Sequence, residues 1–243
     1  MEHETIELIS RGASVPTLVY RPTPRDRPGP AIVLCAEAFG INDFTRRIAS
    51  ELTAEGYVVV VPDYYRGNGL KNPESYTDFT EVMAFIDVLD FTEGTHDVMV
   101  GIDYARMLSD VDPDRIAVWG YCTGGTLAMM AASLDRRLGA AVLFFPSQPS
   151  FPELTVKRPI QPIDLLWNAA CPLLIIYGDQ DDLRHEFVDH ADRFDQWDVD
   201  YELKIYPNAG HAFSAPVPPL RNDAADAASW PEALDFAARH LRP

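Results

Sequence analysis

The stretch Arg115-Ile-Ala-Val-Trp-Gly-Tyr-Cys122-Thr-Gly-Gly-Thr-Leu-Ala-Met-Met-Ala-Ala-Ser-Leu134 decides how this chain folds. Its first five residues (RIAVW) read as a buried strand, and Leu127–Leu134 reads as a helix. Between them lies Gly120-Tyr121-Cys122-Thr123-Gly124, a G-x-C-x-G turn. A sharp strand-to-helix bend brings backbone segments together, so positions 120 and 124 must be small. The helix that follows points its N-terminus at the Cys122 sulfur, and that partial positive charge favours the thiolate. The 19 residues from 116 to 134 carry no formal charge. Their length approaches a membrane span, but glycines, Thr123, Thr126 and Ser133 interrupt them, and a buried strand, turn and helix account for them better.

Outward from this unit, apolar runs alternate with amphipathic segments, the pattern of βαβ units around a mostly parallel sheet. Ala31–Leu34 and Val58–Val61 show no alternation, as strands covered on both faces should. Phe44, Ile48 and Leu52 form a helical stripe between them, with Asn42 or Asp43 as N-cap and Gly56 as stop. Residues 75–108 read as helix in two pieces. Further strands are expected at Gly139–Phe145, Leu173–Tyr177 and Tyr201–Tyr206, a helical stripe at Leu183, Phe187, Ala191 and Phe194, and a last helix starting near Pro231. Residues 146–172 hold six prolines and break the alternation, which marks a lid or pocket loop or a plain surface excursion. No linker divides the 243 residues, so one domain is expected.

Lys and Arg total 20 against 37 Asp and Glu, a formal charge of −17 that opposes nucleic-acid and anionic-membrane binding. Three cysteines without close spacing suggest neither a disulfide framework nor a zinc site; Cys35 and Cys171 read as structural. The N-terminus is acidic and polar, unlike a signal peptide, so a cytoplasmic location is expected. No Walker loop or dinucleotide fingerprint occurs, and no cofactor or metal is expected. Monomer and homodimer both remain open.

Thiol nucleophiles pair with histidine. His211, in Pro207-Asn208-Ala209-Gly210-His211-Ala212-Phe213 after the last expected strand, can project over the carboxyl ends of the strands. The other histidines are terminal or on helices; His185 and His190, five apart, do not share a helical face. An orienting acid should follow another strand and precede the histidine. Gly178-Asp179-Gln180-Asp181-Asp182 offers three carboxylates, of which the G-x-x-D spacing selects Asp181, with Asp179 as a competitor and Asp182 a lesser one. The order nucleophile, acid, histidine is that of the α/β-hydrolase fold.

Together with Ala36-Glu37-Ala38-Phe39-Gly40 and Gly210-His211-Ala212-Phe213, this elbow resembles the dienelactone hydrolase family over residues 5 to 241. The resemblance implies an α/β-hydrolase fold with helices on both sheet faces and hydrolysis of an ester or lactone small molecule. It implies that Glu37 keeps the resting thiol neutral and takes its proton when substrate binds. Backbone N–H groups of Ala38 and Thr123 would form the oxyanion hole, and Phe39, Tyr121, Phe213 and Arg66 would contact substrate. One departure stands out. Family members bind a substrate carboxylate through an arginine after the histidine segment, here Ala215, and a second before the elbow, where residues 70–105 contain none. Arg66, Arg158 or Arg184 could compensate; otherwise the substrate is neutral or apolar. Thioester hydrolysis or acyl transfer would use the same triad, and a non-catalytic binding protein on a hydrolase fold would not need it.

Overall fold

The structure is a computed structural model that describes residues 2–23, 26–69, 79–218 and 220–241. Its centre is an eight-stranded sheet in the order β1-β2-β4-β3-β5-β6-β7-β8. The strands are β1 (Glu4–Ser10), β2 (Ala13–Tyr20), β3 (Gly29–Cys35), β4 (Val58–Pro62), β5 (Val111–Tyr121), β6 (Ala140–Phe144), β7 (Leu173–Gly178) and β8 (Tyr201–Tyr206). Pairings from β4 through β8 are parallel; β1–β2 and β2–β4 are antiparallel. This is the mostly parallel α/β architecture expected.

Every residue of β3, β4, β6 and β7 is buried, which explains why their sequences run apolar without alternation. Helices cover both faces: α1 (Asp43–Ala54), α2 (Phe79–Val88), α3 (Phe91–Met107), α4 (Thr123–Leu134), α5 (Arg184–Val188), α6 (Ala191–Gln196) and α7 (Asp223–Leu241). Asn42 caps α1, its side chain accepting from the Thr45 N–H at 3.0 Å. The buried stripe of α1 contains the expected Phe44, Ile48 and Leu52. None of the described helices is long and apolar enough to cross a membrane.

Three features differ from the sequence reading, and a fourth, the two-piece helical region, agrees with it. The hairpin β1–β2 went unread because β1 is an edge strand with mostly exposed or half-buried residues; Arg11 (φ 50°) and Gly12 (φ 84°) turn it. The stripe from Leu183 to Phe194 is two short helices rather than one. His190 Nδ1 lies 2.7 Å from the Glu186 carbonyl, a side-chain contact that competes with the helical ladder. Helix α7 starts at Asp223, with Pro231 inside it, because Asn222 caps it through the Ala225 N–H at 3.0 Å. Of the expected helical region 75–108, residues 75–78 lie outside the described residues; the rest divides at Leu89–Asp90.

The proline-rich segment 146–172 is anchored rather than loose. The Phe91 N–H donates to the Lys157 carbonyl at 3.0 Å, Lys157 Nζ to Val88 O and Arg158 Nη2 to Ile86 O. The Arg158 guanidinium lies over Phe91 and Phe151, 5.4 Å from each ring centre. The segment therefore fastens the α2–α3 junction, and a short 3-10 helix (Ile163–Asn168) returns it to the core.

Candidate active site

The strand-to-helix turn that carries Cys122 is built by exclusion of side chains. A Cβ on Gly120 would stand 2.2 Å from the Gly124 carbonyl oxygen, and one on Gly124 would stand 2.1 Å from Ala36 O and 2.4 Å from Cys35 O. All three obstacles are backbone, so the glycines are obligatory. Cys122 between them has φ 53° and ψ −118°, a conformation that costs a non-glycine residue about 1–3 kcal/mol. The bend is locked from both sides: the Cys122 N–H donates to Phe144 O at 3.0 Å, and the Ser147 N–H donates to Cys122 O at 3.1 Å. Strand β6 and its exit thereby hold the sulfur at the N-terminus of α4.

His211 reaches that sulfur from the loop after β8, with Nε2 3.3 Å from Cys122 Sγ. Its Nδ1 lies 2.7 Å from Asp181 Oδ2 in the loop after β7. The three carboxylates of that loop separate cleanly. Asp181 is buried and faces the imidazole; Asp179 instead accepts the Ala209 N–H at 3.3 Å, and the Asp182 side chain is fully exposed beside Arg184. A Cβ at Gly178 would stand 2.0 Å from Ala209 O, so this glycine lets the acid loop pack against the histidine loop. The two environments set up a contrast: if the triad operates as placed, Asp181→Asn is expected to lower kcat/KM by about 10³-fold or more through loss of the correct imidazole tautomer. Asp179→Asn can still accept the Ala209 N–H and changes it by less than about threefold; steady-state kinetics on the two variants checks both.

Burial alone would push the Cys122 thiol up. The positive charge and hydrogen bond of His211, a hydrogen bond from the Ser147 hydroxyl and the Thr123 N–H outweigh it, and the thiol ends below its ordinary value. Burial likewise disfavours imidazolium, but the sulfur's negative charge and the Asp181 carboxylate raise His211 to about 10. The two shifts describe one thiolate–imidazolium pair. Glu37 is buried, 3% exposed, and burial carries its carboxyl up to about 8, with the nearby sulfur adding to the rise and Asn42 and His211 opposing it. The Tyr64 hydroxyl donates to Ala36 O at 2.8 Å and lies 3.0 Å from Glu37 O, pinning the β3 exit where Glu37 and Ala38 sit.

A family model for the dienelactone hydrolase family matches residues 15–241. The chain belongs to the dienelactone hydrolase family. As a dienelactone hydrolase relative it is a hydrolase, and its similarity to named proteins extends over most of its length. It is 27% identical to the carboxymethylenebutenolidase of Rhodococcus opacus, over 88% of this chain and 82% of that one. It is also 27% identical to an Escherichia coli (strain K12) protein provisionally given the same name, over 93% and 83% of the two chains. The crystal structure of a provisionally named dienelactone hydrolase from Klebsiella pneumoniae subsp. pneumoniae MGH 78578 superposes with a TM-score of 0.87 at 23% identity, covering 98% of each chain.

Within this dienelactone hydrolase fold, three expected substrate contacts lie elsewhere. Tyr121 points away from its neighbour Cys122: it is 2% exposed, stacked on Phe144 at 4.6 Å and edge-on to Phe44 of α1, so it is core. Phe213 is fully buried, packed on Phe145 and Tyr206 behind the histidine loop. Arg66 donates to both oxygens of buried Asp97 at 2.8 Å and to Glu93 at 3.0 Å, so its charge is matched inside the protein. Phe39 is 5% exposed at the β3 exit. Two groups at the site, Phe145 and Ser147, went unread in the sequence, and a third, Asn42, was read only as a helix cap. Phe145 (φ 37°) sets its ring edge-on to His211 at 5.4 Å, Ser147 hydrogen-bonds the sulfur, and Asn42 donates to Glu37 at 3.0 Å. No spacing rule marks these contacts with the site.

Proposed function

We propose that this enzyme hydrolyses neutral carboxylic esters or lactones through a cysteine acyl-enzyme. The observation that carries the reading is the unbroken contact from Asp181 through His211 to Cys122, 2.7 Å and 3.3 Å, around a sulfur with a lowered pKa. The Cys122 thiolate attacks the carbonyl carbon, and the oxygen of the tetrahedral intermediate is held by the N–H groups of Thr123 and Ala38. Collapse breaks the C–O bond; His211 gives its proton to the departing oxygen, which stays tethered if the substrate is a lactone. Water, deprotonated by His211, then attacks the thioester carbonyl; the C–S bond breaks, the acid leaves, and the thiolate takes back its proton from Glu37 to restore the thiol. In this scheme Glu37 holds the thiol proton while the pair is charged, consistent with a carboxyl that burial keeps largely neutral below about pH 8. Lactone cleavage accords with the name of the Rhodococcus relative, a carboxymethylenebutenolidase.

Neutrality of the substrate is argued from the cations. Arg66 is held by Asp97 and Glu93, and Arg158 by the Ile86 carbonyl, Asp87 and two aromatic rings. Arg184 is held by the Asp181 carbonyl and Asp182, and Arg221 by Asp223 and Asp226. Against a net charge of −17, a substrate carboxylate would enter without a free guanidinium among these. A lactone carrying a free carboxylate and its methyl ester form the decisive pair. The methyl ester should show a kcat/KM about tenfold or more higher, the reverse of what a carboxylate clamp gives. Preference for the free acid would refute the neutral-substrate reading while leaving the triad untouched.

A further inference from the structure

Asn42 stands between a helix cap and the site. Its Oδ1 accepts the Thr45 N–H at 3.0 Å and lies 3.3 Å from Thr45 Oγ1, which ties the oxygen to the first turn of α1. The amide cannot flip without breaking the cap, so Nδ2 must face the other way, and there it donates to Glu37 Oε1 at 3.0 Å. Asn42 is itself 6% exposed, and Glu37 3%, so the bond is shielded from water.

We propose that Asn42 is a positioning residue that governs the ionisation of Glu37, by presenting to its carboxylate an N–H donor whose orientation the α1 cap enforces. The inference deepens the proposed mechanism and rests on Glu37 being the proton partner of Cys122. A donor facing a buried carboxylate favours the charged form. Burial and the adjacent sulfur favour the neutral one, while His211 works on the same side as Asn42. Among the described residues, two groups from the β4 exit also lie near Glu37: the phenol of Tyr65, which feels the Glu37 charge, and the Tyr64 hydroxyl, which bonds the Glu37 carbonyl rather than its carboxyl. Asn42 is thus the neutral donor that opposes burial without adding charge to a site where thiolate and imidazolium already balance.

The test uses the intact enzyme and reads Cys122 directly, as the rate of carboxamidomethylation by iodoacetamide against pH, followed by intact mass. The wild type is expected to show a transition near pH 8, where Glu37 ionises beside the sulfur, and Glu37→Gln to abolish it. Asn42→Ser keeps a side-chain oxygen for the cap and loses the amide N–H that reaches Glu37, because its hydroxyl sits one bond nearer the backbone than Nδ2 and is engaged at the cap. It should move the transition up by about one pH unit, the size of a charged hydrogen bond. Asn42→Asp also keeps the cap but sets a second carboxylate against the first, and should move it further. In Glu37→Gln the added Asn42→Ser change should have no effect on the profile. A transition removed by Glu37→Gln but unmoved by both Asn42→Ser and Asn42→Asp would overturn the role of Asn42 and leave that of Glu37 standing. A wild type without the transition, or one that survives in Glu37→Gln, would overturn the Glu37 reading and this inference with it.

Discussion

Cys122→Ala is expected to abolish turnover of p-nitrophenyl esters and enol lactones, lowering kcat by about 10⁴-fold or more while the protein stays folded. Alanine keeps a Cβ in the elbow, so the geometry held by the Phe144 and Ser147 backbone contacts survives. What disappears is the sulfur to which the proposed mechanism assigns the attack. His211 and the proposed oxyanion donors remain, and they would account for a residual rate. The result separates this chain from a binding protein built on the same fold, which would lose nothing measurable. Circular dichroism and melting on the same sample show that the loss is chemical. Retained activity in Cys122→Ala would end the account.

The second large effect is structural. Gly124→Ala adds one methyl carbon, yet that carbon would stand 2.1 Å from Ala36 O and 2.4 Å from Cys35 O. Neither oxygen can swing aside, because both belong to the exit of the buried central strand β3, and Ala36 O already accepts from the Tyr64 hydroxyl. The elbow must then pull away from β3. Disruption of such a packed backbone contact belongs to the exceptional class of substitutions costing about 4 kcal/mol or more. Against a typical domain stability of roughly 5–15 kcal/mol, little folded protein should remain. Gly210→Ala, one residue from the His211 imidazole, is the control: a Cβ there meets nothing within 4 Å, and the variant should melt near the wild type. Thermal unfolding of the two variants checks the contrast.

The elbow was legible in the sequence for the same reason that Gly124 is fragile. Steric exclusion writes itself as small residues at fixed spacing, and the alternation of fully buried strands with amphipathic helices writes the sheet. Side-chain direction is harder to read. Tyr121 sits next to the nucleophile in sequence, but successive strand residues face opposite sides, and its ring joins Phe44 and Phe144 in the core. Phe213 has the same defect, two residues beyond the histidine and wholly enclosed. Asp179 and Asp181 differ only in which way a tight turn throws them, so the G-x-x-D spacing selected one without excluding the other. Arg66 looked like free charge because the acids that hold it, Glu93 and Asp97, come from a helix some thirty residues on. Asn42 was readable as a cap. That its second amide atom reaches the buried Glu37 depends on the β3 exit and the start of α1 meeting in space, which no local pattern records.

The central claim is that the carbonyl carbon of the substrate becomes bonded to sulfur. Rapid quench of Asp181→Asn during turnover of a p-nitrophenyl ester, followed by peptide mass spectrometry, tests it most directly, since the slowed variant should accumulate the intermediate. The account predicts one acyl mass on the peptide containing Cys122, labile to hydroxylamine as a thioester is. An acyl group on any other residue, or sustained turnover in which the Cys122 peptide is never modified, would contradict it.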